Sequence, residues 1–209
     1  MIDWLKNEWQ LLTSKYTNNT SLIDDLWLEI KNQYSQKSRY YHNLSHIHNM
    51  LLKAEDFKNE IYDFDVLKLT IWYHDIIYKS TKKDNEEKSV VFAKKRLKSL
   101  NFDEKRIKIV QNLIISTKKH ELILHDNSDN ALLLDLDLSI LGSSWESYKK
   151  YIQNIRKEYK IYPNFMYNPG RKKVLEHFLK RESLYFTDSF KNEYEIQARE
   201  NLKREIELL

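Results

Sequence analysis

Two short segments carry imidazoles at spacings that chemistry can use. Tyr41-His42-Asn43-Leu44-Ser45-His46 sets His42 and His46 four residues apart, a spacing that shares a helix face and can aim two imidazoles at one point. Ile71-Trp72-Tyr73-His74-Asp75-Ile76-Ile77-Tyr78 places an imidazole beside a carboxylate within an aromatic and aliphatic run. A carboxylate in such a run is costly to desolvate unless it is paired or holds a metal, and Asp75 has no Lys or Arg within three residues. The same argument applies to Asp135 and Asp137, which are embedded in a run of leucines. Residues two apart on a helix point to nearly opposite sides, so only one of this pair can face a given interior point, leaving the other solvated or as a cap. Three segments offering nitrogen and oxygen donors from apolar backgrounds predict a His and Asp metal site.

Composition narrows the alternatives. The 209 residues include no cysteine, which excludes disulfides, thiolate metal sites and cysteine nucleophiles, so a metal must be held by His, Asp, Glu or water. The two glycines, Gly142 and Gly170, are far apart, which excludes glycine-rich phosphate loops and the Gly-x-Ser-x-Gly elbow. With only two prolines as well, the chain has too few turn residues for a sandwich or barrel, and the expectation is all-α. The net charge of +4 is small, and Lys82-Lys83, Lys94-Lys95, Lys118-Lys119, Lys149-Lys150 and Lys172-Lys173 read as solvated helix faces. A nucleic-acid partner, which calls for a concentrated basic stripe, is not expected. No apolar run approaches the ~20 residues of a span, and the N-terminus does not read as a signal peptide. The expectation is a cytoplasmic protein with no membrane partner.

Apolar residues recurring at three and four spacing predict the helices that must position these groups. They cover about 2–16, a stretch from a Thr20 or Ser21 cap to Tyr34, a helix following Asn43, and about 63–78. A further helix over 84–100 opens on Asp84 and Glu87, the spacing of a capping box. Others follow from Phe102 to about Ser116, over 131–141 with Gly142 as the stop, over 144–160, 171–181 and 188–208. Residues 162–170, which hold both prolines and Gly170, read as the longest loop and a candidate lid. Without repeats or linkers, residues 1–209 read as a single domain.

The order of a histidine, then His-Asp, then Asp on successive helices resembles the HD superfamily of metal-dependent phosphohydrolases. More narrowly, the chain is similar along its length to a bacterial family of predicted HD-type phosphohydrolases. The similarity runs through 41–47, 74–78, Asp84-Asn85-Glu86-Glu87-Lys88-Ser89, 135–142, Asn168-Pro169-Gly170-Arg171 and 198–202. The first segment also resembles the Tyr-His-Asn-x-x-His motif of cyclic-nucleotide phosphodiesterases.

The resemblance implies a single compact HD-domain-like helical bundle that hydrolyses a phosphate ester of a nucleotide or related small metabolite. It implies His46, His74, Asp75 and Asp137 as ligands of one tightly bound divalent metal (Mn, Fe, Ni, Co, Zn or Mg), with Asp135 as runner-up to Asp137. It makes His42 the general acid, with Asp75 and Glu86 at the reacting centre; for Glu86 and Glu87 a helix cap and a solvated face are the other reading. Many dinuclear relatives carry a histidine where this chain has Asn85, and only His120 stands ready to supply a further one, so a mononuclear site is expected. Arg39, Lys79 and Arg171 are candidate phosphate contacts, and Asn85 and His120 further substrate contacts. Two other functions fit the same residues: a nucleotide-binding regulatory protein that releases no phosphate, and a di-iron HD-type oxygenase that consumes dioxygen. A homodimer is a common outcome for such a chain.

Overall fold

The computed structural model describes all 209 residues, which form ten α-helices and two short 3₁₀ turns without a strand. The fold is all-α, and no helix is long and apolar enough to cross a membrane. The helices are α1 Ile2–Thr13, α2 Thr20–Tyr34, α3 Leu44–Asp56, α4 Phe64–Tyr73 and α5 Asn85–Ser99. They continue as α6 Glu104–Thr117, α7 Ser128–Leu138, α8 Trp145–Glu158, α9 Asn164–Leu179 and α10 Asp188–Leu208. The chain divides into two compact units, Met1–Leu133 and Leu134–Leu209.

In the first unit, α4 is the central element. Eight of its ten residues are buried, and a helix that is apolar all round needs neighbours on several sides. It packs against α3, α5 and α6, and the Trp72 ring meets Trp9 of α1 and Trp27 of α2 edge-on at 5.7 and 6.1 Å. The start of α4 is fastened twice over. Asp63 caps it by accepting from Val66 N at 3.1 Å, and Arg106 of α6 grips the same carboxylate at 2.8 and 2.7 Å. Asp129 of α7, itself buried, accepts from the backbone N–H groups of Tyr62 and Asp63 at 2.8 and 2.9 Å.

The helix predicted over 63–78 ends at Tyr73, where Ile76 N closes a tighter turn onto Tyr73 O and Ile77 N turns to Ser89 Oγ. Tyr34 Oη donates to Trp72 O at 3.1 Å, and Arg39 donates to Asp75 O and Ile76 O at 2.6 and 2.8 Å. The capping box predicted at Asp84 does not form. Asp84 instead pairs with Lys88 at 2.9 Å and Glu87 with Lys118 of α6.

In the second unit, α10 packs against α8, α9 and the 3₁₀ turn Ser139–Gly142. Asp135, fully buried, accepts from Phe186 N and Thr187 N at 2.8 Å each and from Thr187 Oγ1 at 2.7 Å, fixing the residue that caps α10. Burial pushes its carboxyl up to about 6 against the pull of these donors.

Two sequence expectations change here. Gly142 ends its turn without a positive φ, and its real constraint is space. A Cβ at Gly142 would lie 2.5 Å from Tyr194 Cβ and 2.8 Å from Tyr194 O, so backbone of α10 would have to move. Gly142→Ala is therefore expected to cost about 1–3 kcal/mol, read as a lower midpoint in urea unfolding with unchanged slope. The predicted lid over 162–170 is not a loop. Pro163 stands at the N-cap of α9, where its missing N–H costs nothing, and α9 runs on through Pro169 and Gly170.

Candidate metal centre

The ends of two helices in the first unit bring the predicted histidines together. Asn43 caps α3, its Oδ1 accepting from Ser45 N at 2.8 Å while its Nδ2 donates to Tyr40 O at 2.9 Å. That cap sets the first turn of α3, from which His46 points inward, buried. His74 is the C-cap of α4 and Asp75 the residue beyond it, so Asp75 lies in a turn rather than mid-helix as predicted. His74 Nδ1 lies 3.0 Å from Ile71 O, an acceptor only, so Nδ1 carries a proton and Nε2 is the nitrogen that a metal could take.

His46 Nε2 and His74 Nε2 are 3.3 Å apart, and His74 Nε2 is 3.3 Å from Asp75 Oδ2. One donor atom from each of His46, His74 and Asp75 lies within 4.8 Å of the other two. Ligand atoms held tetrahedrally at ~2.0–2.1 Å from a metal are themselves about 3.3 Å apart, so both measured edges suit a shared cation. Without one, the 3.3 Å contact between the two Nε2 atoms needs a proton on one of them, which a shared metal would displace.

His42 reaches the cluster by a different route from the predicted one. It precedes the cap of α3, so it and His46 do not share a helix face; their ring centroids are 6.1 Å apart. The His42 ring stacks on Tyr78 at 4.1 Å and meets Tyr41 edge-on at 5.0 Å. Glu86, half-buried in the first turn of α5, has its carboxyl raised above the ordinary range by burial, and the nearby Asp75 charge adds to the rise.

The structure assigns different work to several predicted substrate contacts. Arg39 is buried, donates to His42 O at 3.1 Å as well as to Asp75 O and Ile76 O, and lies over the Tyr34 ring at 4.9 Å. Its two terminal nitrogens bond backbone and tie the His42 segment to the His74-Asp75 turn. Asn85, also buried, accepts from Lys79 N at 3.1 Å and donates to Lys79 O at 3.0 Å, stapling the connection between α4 and α5. Ser89 adds a bond from Ile77 N at 3.1 Å. Arg39 and Ser89 are thus positioning residues whose roles reside in backbone contacts that no spacing rule displays.

Lys79 itself is exposed, and His120 adopts a left-handed φ of 50° beyond α6. Asp137 lies half-buried on α7 and belongs to the second unit. Arg171, in that unit too, is held by Glu205 at 2.7 and 3.0 Å and is not free for a phosphate. Asp135, the runner-up ligand, has three donors on its two oxygens and serves as a clasp.

Compared with family models, curated proteins and solved structures, the chain matches none.

Proposed function

We propose that this protein is a metal-dependent phosphohydrolase acting on the phosphate ester of a nucleotide or related small metabolite. The observation that carries the reading is the convergence of His46, His74 and Asp75, with His42 beside them. Two imidazoles and a carboxylate form a donor set suited to Mn, Fe, Co, Ni or Zn. A divalent ion held by these three would lower the pKa of a bound water and polarise a phosphoryl oxygen. His42 delivers a proton to the departing alkoxide, a task for the one side chain that exchanges protons near neutrality. Stacking on Tyr78 and the Arg39 bond to its carbonyl hold that ring and its backbone in place. The HD-type hydrolase assignment rests on the sequence resemblance.

The deciding experiment measures metal in protein purified without chelator or histidine tag, together with phosphate release from a panel of nucleotides with Mn, Co, Ni, Zn and Mg added back. Bound metal and release from at least one substrate are expected. Metal without release would move the reading to a nucleotide-binding or oxidative role, and absence of metal under every condition would remove the site. The same metal measurement, with urea unfolding beside it, checks Asp135. Asp135→Ala is expected to keep metal and lose about 3 kcal/mol of stability, because three half-buried donors lose their acceptor.

A further inference from the structure

α9 buries little of itself. Of its sixteen residues only Tyr167 and Leu175 are buried. At about 100° per residue, Phe165, Met166, Pro169, Lys173 and Lys180 fall on the side opposite those two. Phe165 is 78% exposed and Met166 53%, and Ile161 just before the helix is 67% exposed. Single exposed apolar residues are ordinary, whereas three within one tip make a patch. The rest of the same stretch is cationic. From 160 to 180 the exposed charges are Lys160, Lys172, Lys173 and Lys180 against Glu176 alone, since Arg171 is turned onto Glu205. The exposed surplus of this stretch is thus three positive charges, against +4 for the whole chain.

We propose that this face docks on an anionic lipid surface, with Ile161, Phe165 and Met166 at the boundary between headgroups and acyl chains and the lysines over the headgroup phosphates. A convex helix with protruding apolar side chains fits a plane rather than a groove, and lysine stems cover apolar surface while their ammonium groups stay wet. A nucleic acid would use the lysines and leave Phe165 and Met166 idle. The sequence expectation of no membrane partner rested on the absence of a span, and docking in the interfacial plane needs none. The inference does not depend on the metal centre.

The test is cosedimentation of the full chain with phosphatidylcholine vesicles and with vesicles containing about one third phosphatidylserine. Binding is expected to the anionic vesicles only, and to fall with salt. Lys172→Glu with Lys173→Glu should weaken it at least about 25-fold, each lysine near such a surface counting for roughly fivefold. Phe165→Ser with Met166→Ser should weaken it about tenfold or more while the salt dependence persists. Both doubles are exposed substitutions and should melt with the parent protein. Equal binding to both vesicles, no binding to either, or binding that both doubles retain would overturn the proposal. So would a duplex oligonucleotide that binds regardless of Phe165 and Met166, or a dimer that the apolar double dissociates without any vesicle binding.

Discussion

His42→Ala is expected to retain metal at the level of the parent protein and to lose turnover by ~10²–10⁴-fold, the usual contribution of a positioned general acid. The division follows from geometry. His42 is outside the set of three converging donors, and its ring is held by Tyr78 and Tyr41. Asp75 is inside that set, its Oδ2 3.3 Å from His74 Nε2. Asp75→Ala should therefore lose the metal, and activity with it. Its backbone carbonyl still accepts from Arg39, so the turn persists and the protein should stay folded. Metal analysis beside steady-state kinetics reads both variants, and equal metal loss in the two would refute this division of roles.

Glu205→Ala is expected to be among the most destabilising single substitutions outside the apolar core, at about 3–5 kcal/mol. Glu205 and Arg171 have side chains only 1% and 11% exposed, and they meet through two parallel bonds of 2.7 and 3.0 Å. Tyr148 Oη donates to the same carboxylate. Truncating Glu205 leaves a buried guanidinium with no counter-charge, and burial without a partner is the costly condition. The double variant Arg171→Met with Glu205→Leu should be more stable than Glu205→Ala alone, because neither charge is left behind. Urea unfolding measures both, and a double variant less stable than Glu205→Ala would show that the pair contributes more than mutual neutralisation.

Helices with a strong apolar rhythm were legible in the sequence. Leu5, Trp9 and Leu12 of α1, and Leu26, Ile30 and Tyr34 of α2, face inward as their spacing requires. Asn43 was legible as the boundary of α3 and His74-Asp75 as a chemical pair. What stayed hidden was decided by partners remote in sequence. α4 stops short where Ser89 takes Ile77 N, and Tyr34 and Arg39 hold Trp72 O and the turn that follows from 36 to 38 residues away. Arg39 and Arg171 resemble phosphate ligands on paper, and only the fold reveals that carbonyls and Glu205 have claimed them. The helix over 171–181 is legible, and only the first turns of α9 are hidden, because proline and glycine read as breakers. At the cap a proline removes no helical bond, and within α9 the rest of the helix tolerates Pro169. Asp84 and Glu87 had the spacing of a capping box, but Lys88 and Lys118 compete for the same oxygens.

The two buried aspartates of α7 work alike. Asp129 holds the N–H groups of Tyr62 and Asp63, and Asp135 those of Phe186 and Thr187, in each case just ahead of a helix. What each carboxylate recognises is main chain, which every residue but proline supplies in the same form. Selection on these two junctions therefore falls unevenly. The aspartates admit no shorter or apolar replacement. The clasped positions 62 and 186 are free to drift among almost all side chains, provided that proline stays out and no residue is inserted or lost between clasp and helix.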